Sequence, residues 1–309
     1  MKKVIITGAN GFIGRNVVKC LLERGIEVHA FIFPYQEKEE IWHEHLELLH
    51  TYFLPLEKID EIPNMIKDRD VDCFYHFAWD GVYEPKSLDY KVQLFNMEST
   101  CRAIEVCSKI GCKRFVYPSS VMEFDCMRST ITSDKTPLNR RTTYYGAKIG
   151  AYLLSKHLAT QLGVDYIQAI ISNIYGPTLN QSFITSTLIK FIKGEHVAFT
   201  SGEQFYDFVH IDDAAVMMYY IGAEGKPMAS YYIGSDSPKK LKYFIMEMRD
   251  CVDPSIELNL GEVKTNVVDM PINLFDTQKL AQETKYRQKI SFREGIMRTI
   301  KFLKENLNI

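Results

Sequence analysis

The feature of this sequence that most restricts its fold is the N-terminal stretch VIITGANGFIG. A short apolar segment of β type, Val4 to Thr7, runs into a turn that contains three glycines. Residues 12–24 follow with apolar side chains at helical spacing, and residues 27–32 have the character of a second strand. Glycines between a strand and a helix let backbone N–H groups approach a phosphate at the positive end of the helix. We therefore expect a dinucleotide to contact Gly8, Asn10, Gly11, Phe12, Ile13, Gly14 and Arg15.

Composition limits the classes of partner and compartment. The 309 residues include 37 Lys+Arg and 39 Asp+Glu, for a formal net charge of -2, which favours neither a nucleic-acid nor an anionic-membrane partner. The seven cysteines include no Cys-x-x-Cys pair, so we expect reduced thiols, no metal site and a cytoplasmic protein. No apolar run reaches the length of a membrane span, and the N-terminus lacks the pattern of a signal peptide.

A second motif, YYGAK, places Tyr144 and Lys148 four residues apart. On the helix predicted for residues 143–162, this spacing brings a phenol and an ammonium to one face, with about 5 to 6 Å between their Cβ atoms. A nearby cation stabilises the phenolate and moves the tyrosine pKa toward the working pH. The pair is therefore a candidate acid-base catalyst for redox chemistry on a carbonyl.

Strand-like and helical segments alternate along the first half of the chain. Residues 73–78, 114–118 and 165–171 have the character of strands, and residues 91–110 that of a helix. This order predicts a parallel sheet covered by helices, with ligands at the carboxyl ends of the strands. Beyond NIYGP the pattern loses regularity. We expect a dinucleotide-binding domain at 1–172, with a return of the chain at about 205–225, and a mainly substrate-binding lobe at 173–309.

Four segments in this order, TGANGFIG, FVYPSS, YYGAK and SNIYGP, resemble the extended short-chain dehydrogenase/reductase family over nearly the whole chain. The resemblance implies an α/β fold, a Rossmann-like doubly wound parallel sheet with a smaller, mixed α/β substrate-binding lobe toward the C-terminus. It also implies a catalytic triad of Ser120, Tyr144 and Lys148. The register assigns the serine role to Ser120 rather than Ser119, and it leaves Tyr145 as a packing or substrate-wall residue.

The resemblance suggests further binding residues. Phe77 and Ala78 lie in a segment similar to the loop that passes the cofactor pyrophosphate, and Asn96 matches an asparagine of structural or functional role. Relatives often carry an arginine where Tyr206 stands, so a diphosphate would need other cations here. From their positions, Trp79 could form a wall for a sugar, and Met122 could face the methyl group of a 6-deoxy sugar. The candidate substrate-binding residues are Trp79, Met122, Asn173 and Tyr206.

The residues after Ser120 restrict the chemistry within this family. Relatives that dehydrate nucleotide sugars carry an acid-base Asp-Glu pair directly after the serine or threonine. Val121 and Met122 stand there and cannot move protons, so the resemblance argues against a 4,6-dehydratase. The favoured function is NAD(P)H-dependent reduction of the C4 keto group of a nucleotide-linked 4-keto-6-deoxyhexose, with dTDP-4-dehydro-6-deoxyglucose to dTDP-fucose as the best guess, for surface polysaccharide sugar synthesis. One alternative is a UDP-sugar 4-epimerase with tightly bound NAD. Another is a non-catalytic dinucleotide-binding redox sensor.

Cofactor choice and assembly are less constrained. Ile32 and Phe33 stand where NAD-selective relatives carry an acidic residue, and Arg15 could contact a 2'-phosphate, so NADP(H) is favoured and NAD(H) stays possible. The family also implies a homodimer, formed through the helices predicted at 91–110 and 143–162. The apolar side chains on the second helix, such as Tyr152, Leu153 and Leu158, could belong either to that interface or to the core.

Overall fold

The computed structural model describes residues 1–32, 42–67, 69–131, 140–264 and 270–307. Within these ranges the strands are β1 (Lys3–Thr7), β2 (Glu27–Ile32), β3 (Leu49–Phe53), β4 (Cys73–His76), β5 (Arg114–Ser120), β6 (Asp165–Ile171), β7 (Asn173–Tyr175), β8 (Ala198–Phe199), β9 (Phe205–Tyr206), β10 (Phe208–His210), β11 (Ser230–Ile233), β12 (Lys239–Lys240) and β13 (Asn259–Leu260). The helices are α1 (Phe12–Leu22), α2 (Ile62–Met65), α3 (Tyr90–Lys109), α4 (Met122–Ile131), α5 (Arg140–Leu162), α6 (Phe183–Ile192), α7 (Ile211–Glu224), α8 (Leu241–Val252), α9 (Gln278–Thr284) and α10 (Phe292–Leu307).

The main sheet has seven strands in the order β11-β6-β5-β4-β1-β2-β3. Neighbouring strands from β3 to β6 pair in parallel, and α1, α2, α3 and α5 lie in the connections β1–β2, β3–β4, β4–β5 and β5–β6. The predicted Rossmann-like parallel sheet is thereby confirmed. Strands β2 and β6 have the predicted bounds, whereas β5 continues two residues further, to Ser120. Strand β3 and helix α4 were not predicted from the sequence.

Hydrophobic packing on both faces holds the main sheet in place. Strands buried on both sides read as apolar runs, and Ile5, Phe74 and Phe115 are fully buried on adjacent strands. The Phe74 and Phe115 rings stack with their centroids 5.4 Å apart, and the Tyr166 ring follows at 5.9 Å from Phe115. This aromatic row extends the core across three strands below the carboxyl edge.

The chain divides into two compact units. The first comprises Met1–Ile171, Ala215–Tyr232 and Gln278–Tyr286, and it contains the main sheet. Residues 215–225 of the expected return belong to this unit, whereas residues 205–214 belong to the second. The Tyr75 hydroxyl donates to the Met218 carbonyl at 3.2 Å, which joins β4 to α7 within the first unit.

The second unit comprises Ser172–Ala214, Ile233–Thr277 and Arg287–Ile309. Its core lies among α6, α8 and α10, whose apolar positions recur at helical spacing. Phe244 and Phe292 meet there with ring centroids 4.7 Å apart, and Tyr175 donates a hydrogen bond to the Phe292 carbonyl at 3.1 Å. Among the described residues, no helix combines the length and apolarity that a membrane crossing requires.

Candidate active site

The glycine turn has the close backbone approach that the sequence predicts. Gly8 has φ +67, and a Cβ on it would lie 2.6 Å from the Ala78 backbone nitrogen. A Cβ on Gly14 would lie 2.2 Å from the Gly8 carbonyl oxygen, so neither position accommodates a side chain. Gly11 begins α1 without a side-chain cap, which leaves the first-turn N–H groups to face an anion. The backbone therefore fits the pyrophosphate of a dinucleotide.

A cavity of about 350 Å³ opens beside this turn. Six of the predicted binding residues line it, namely Gly8, Asn10, Gly11, Phe77, Ala78 and Trp79. Its far wall includes Phe31 and Ile32 at the end of β2, while Phe33 lies outside the described residues. Phe12, Ile13, Gly14 and Arg15 instead form the first residues of α1. The Arg15 guanidinium packs 5.8 Å from the Phe12 ring centroid.

Lys148 reaches from α5 to the carboxyl end of β5. Its side chain is buried, and the ammonium donates a hydrogen bond to the Pro118 carbonyl at 2.9 Å. The helix is fixed at the same level because the Tyr117 hydroxyl donates to the Lys148 carbonyl at 2.8 Å. Burial lowers the pKa of Lys148 from 10.5 to about 8, and the charge of Glu123 opposes part of that decrease. The ammonium is thus held at the Pro118 carbonyl, and its pKa is close to the neutral pH range.

The indole of Trp79 contacts both members of the Tyr-Lys pair. The Lys148 ammonium lies 4.0 Å from the centre of this ring, a close cation–π contact. Tyr144 meets the same indole edge to face, with ring centroids 5.9 Å apart. The Trp79 nitrogen donates to Gln93 at 3.0 Å, which fixes the orientation of the ring. The structure therefore brings the predicted sugar-wall residue against the predicted catalytic pair.

Tyr145 differs from its neighbour in its surroundings. Its ring packs against Tyr144 at 5.0 Å between centroids. The ring that meets the Trp79 indole, which also contacts the Lys148 ammonium, is that of Tyr144. This arrangement is consistent with the assignment of the acid-base role to Tyr144.

Ser120 ends β5 and caps α4. Its hydroxyl oxygen accepts a hydrogen bond from the Met122 N–H at 3.2 Å, while Glu123 accepts one from the Ser120 N–H at 2.8 Å. The bond from the Ser120 N–H to Glu123 is the half of a capping box in which a glutamate side chain returns to the backbone three residues earlier. Because Ser120 accepts from Met122, its O–H hydrogen can be directed at a substrate oxygen.

Glu123 is a functional candidate that the predicted set of site residues did not include. The side chain is buried, and its second oxygen accepts from the Ser119 hydroxyl at 2.8 Å. Burial raises the pKa of Glu123 above its usual value, while the Lys148 ammonium and the two hydrogen bonds lower it. The Ser-x-x-Glu spacing at residues 120–123 is the sequence signal from which Glu123 could have been identified. It places a carboxylate close behind Ser120.

A hydrogen-bonded series supports this carboxylate from the far side. The Ser119 hydroxyl accepts from Gln168 at 2.9 Å, and Gln168 in turn accepts from the Ser230 hydroxyl at 2.7 Å. These side chains lie on β5, β6 and β11. Ser119 therefore has a structural partner on each side, which leaves Ser120 as the serine at the sheet edge.

Asn96 and His76 have mainly structural contacts. Asn96 accepts from the Asp80 N–H at 2.9 Å and donates to the Asp80 carbonyl at 2.7 Å, so it fixes the loop after β4. His76 shares a hydrogen bond with Thr7 at 2.8 Å. Burial, with a smaller effect of Lys148, lowers the His76 pKa to about 3 and keeps the imidazole neutral.

The two substrate candidates of the second unit lie on strands of two different two-stranded sheets. Asn173 starts β7 and donates from its side chain to the Asp207 carbonyl at 3.0 Å. Tyr206 ends β9, where it pairs with Lys239, and its ring packs 5.6 Å from that of Phe208. Met122, in the first unit, is half-buried as the first residue of α4.

The chain is similar to proteins named as enzymes of nucleotide sugars. The chain is 27% identical over 226 residues to dTDP-6-deoxy-L-talose 4-dehydrogenase (NAD(+)) of Aggregatibacter actinomycetemcomitans, covering 70% of this chain and 78% of that protein. It is 23% identical to UDP-glucuronate 4-epimerase of Thermodesulfobacterium geofontis, covering 99% and 97% of the two chains.

Solved structures share the fold along the whole chain. The Bordetella bronchiseptica enzyme WbmF in complex with NAD+ has a TM-score of 0.76 at 20% identity, with 99% of this chain and 94% of that one covered. The model of the NAD dependent epimerase/dehydratase family matches residues 4–234. The resemblance seen in the four motifs is confirmed, and the protein is an NAD-dependent enzyme of the short-chain dehydrogenase/reductase type that belongs to the NAD dependent epimerase/dehydratase family.

Proposed function

We propose that the protein reduces the C4 keto group of a nucleotide-linked 4-keto-6-deoxyhexose, with dTDP-4-dehydro-6-deoxyglucose as substrate and dTDP-fucose as product. The observation that carries the proposal is the buried Lys148 ammonium, held by Pro118 and sharing the Trp79 indole with Tyr144. A relative named as a dTDP-6-deoxy-L-talose 4-dehydrogenase supports the sugar class. A product of this type would serve surface polysaccharide synthesis.

Each residue of the proposed triad has a distinct task. A bound reduced nicotinamide supplies hydride to the keto carbon. Ser120 donates a hydrogen bond to the keto oxygen, and Tyr144 transfers a proton to that oxygen as negative charge develops there. Lys148 stabilises the resulting phenolate and has further N–H groups for the ribose hydroxyls. Asn173 and Tyr206 are proposed to contact the nucleotide portion of the substrate.

For the cofactor, the cavity favours NAD(H) over the NADP(H) expected from the sequence. Two carboxylates, Glu57 and Asp80, line it, and its lysine, Lys86, is paired with Asp80 at 3.0 Å. A 2'-phosphate would add negative charge beside them. The relatives that carry NAD in their names or complexes support the same choice. Comparison of the Kd for NADH and NADPH tests it, and tighter NADPH binding would reverse it.

The main experiment mixes the purified protein with NADH or NADPH and a series of dTDP-, UDP- and GDP-linked 4-keto sugars, and follows cofactor absorbance. Oxidation of cofactor in proportion to dTDP-6-deoxyhexose formed is the expected result. The matched variants Tyr144→Phe and Tyr145→Phe separate the two phenols: the first is expected to lose roughly 10²-fold or more in kcat, the second little. Equal losses would contradict the assignment of Tyr144.

A 4-epimerase is the second candidate, because a UDP-glucuronate 4-epimerase aligns with 99% of this chain. Such an enzyme would be purified with tightly bound NAD and would interconvert UDP-sugars without added cofactor. If it does so and oxidises no NADH with any keto sugar, the reductase proposal is wrong. A redox sensor, the third candidate, would tolerate Tyr144→Phe in every readout, including in vivo.

The sugar methyl group and the assembly can be tested separately. Met122→Gln is expected to reduce turnover of a 6-deoxy substrate more than that of a 6-hydroxy one.

For the proposed homodimer, Leu94 on α3 and Leu153 on α5 are 55% and 60% exposed, while Tyr152 and Leu158 pack against the core. Burying such leucines between subunits would remove them from water. Leu153→Glu should therefore yield a monomer in light scattering.

A further inference from the structure

Glu27, His29 and His50 form a side-chain cluster that the proposed redox function does not use. Strands β2 and β3 pair so that His29 stands directly opposite His50. Glu27 precedes His29 by two residues, and the alternation of a strand puts both side chains on one face. The two imidazoles stack with their centroids 4.9 Å apart. The cluster lies toward the start of β2, whereas the cofactor cavity is lined by Ile32 at its end.

The separations between the possible ligand atoms suit a tetrahedral metal. Glu27 Oε1 is 3.4 Å from His29 Nε2 and 3.1 Å from His50 Nε2. All three ligand atoms lie within 4.8 Å of one another. Zinc bonds of about 2.0 to 2.2 Å in tetrahedral geometry separate neighbouring ligand atoms by roughly 3.3 to 3.5 Å. Two of the three separations are thus close to the required values before any metal binds.

The surroundings also orient the imidazoles as ligands. Tyr52 places its hydroxyl 3.0 Å from His29 Nδ1 and can accept the N–H there. That tautomer directs the Nε2 lone pair at Glu27, and a hydrogen bond to the second ring nitrogen is typical of metal-binding histidines. His29 is buried, while the His50 side chain is 45% exposed and gives an ion access.

One cation competes for this carboxylate. The Lys3 ammonium lies 3.5 Å from Glu27 Oε2 and 3.3 Å from Asp70. The ammonium therefore contacts Oε2 of Glu27. The other oxygen, Oε1, makes the short contacts with both imidazoles. Asp70 stays as a partner for the Lys3 ammonium when Glu27 binds a metal.

We propose that Glu27, His29 and His50 bind one Zn²⁺ ion, with water as the fourth ligand. The ion cross-links the edge strand β3 to β2 and so stabilises the two strands that lead to the cofactor cavity. The absence of a Cys-x-x-Cys pair led to the prediction of no metal site, but strand register brings these histidines together across 21 residues of sequence.

The test is a zinc titration of the chelator-treated full chain, read by competition with a chromophoric chelator and by thermal unfolding. His50→Gln and Glu27→Gln should each weaken zinc binding roughly tenfold or more. His196→Gln is the matched control, because this exposed histidine pairs with Glu262 at 3.0 Å but has no second histidine in that pair. In wild type and in the control, zinc should raise the unfolding midpoint, and Co²⁺ should give the visible spectrum of a tetrahedral site.

The result that overturns the proposal is equal zinc affinity in wild type and in both cluster variants, or no zinc binding at a hundredfold excess of metal over protein. Unfolding midpoints measured in chelator verify that the variants fold. If either variant fails to fold, the Co²⁺ spectrum of the wild type decides: an octahedral spectrum, or none, rejects the tetrahedral site.

Discussion

Replacing Lys148 with methionine should change how the stability of the protein depends on pH. Methionine has a similar volume and no charge, so the packing beneath Trp79 is retained. In the folded protein burial lowers the Lys148 pKa to about 8, against 10.5 for an ordinary lysine. At about 1.4 kcal/mol per pKa unit, this difference corresponds to a cost of about 3 kcal/mol for keeping the ammonium buried at neutral pH.

The sign follows from proton binding. Between about pH 8 and 10.5 the unfolded chain holds a proton on Lys148 that the folded chain has released, so this group's destabilisation is complete below pH 8 and disappears as the pH rises to 10.5. Wild type should therefore gain about 3 kcal/mol relative to Lys148→Met across that interval. Urea unfolding at a series of pH values, followed by tryptophan fluorescence, measures the difference.

Two controls isolate the effect. Because the charge of Glu123 raises the Lys148 pKa, the same comparison in a Glu123→Gln background should show a larger difference that begins at lower pH. Lys156→Met removes a half-buried lysine from the same helix, where it donates to the Tyr152 hydroxyl at 2.9 Å. A stability difference between wild type and Lys148→Met that stays constant from pH 7 to 10 would refute the assigned burial cost. Turnover should fall by roughly 10²-fold or more in this variant.

Three further outcomes are expected. Glu123→Gln should move the alkaline limb of the turnover profile to lower pH, because Lys148 then loses its proton earlier; an unchanged limb would show that Glu123 acts only as a helix cap. Gly14→Ala should abolish dinucleotide binding in a fluorescence titration while the chain still folds, since its Cβ would lie 2.2 Å from a carbonyl oxygen of the turn. Gly222→Ala should lower the free energy of unfolding by roughly 1 to 3 kcal/mol or more, because its Cβ would lie 1.7 Å from the buried Tyr75 hydroxyl; near-wild-type stability would contradict that contact.

Local signals were sufficient for the start of the fold. The apolar run before Gly8 and the apolar spacing after it specify β1 and α1, because strand and helix periodicities are properties of neighbouring residues. Strand β3 was missed because its pattern, LHTYF, is interrupted by polar side chains and is only partly buried at the edge of the sheet. Helix α4 was not predicted, although Ser120 and Glu123 stand at its start with Ser-x-x-Glu spacing.

The sequence by itself determined the type of chemistry: a glycine turn after a strand, and a phenol four residues from an ammonium on a helix. Both patterns depend on short spacings along the chain, which do not change with the tertiary structure. Only the tertiary structure decided what surrounds that pair, since Trp79, Pro118 and Glu123 reach Lys148 from separate elements. Their contacts depend on how strands β4 and β5 pack against α5, and burial there sets the lysine pKa, which no local pattern encodes.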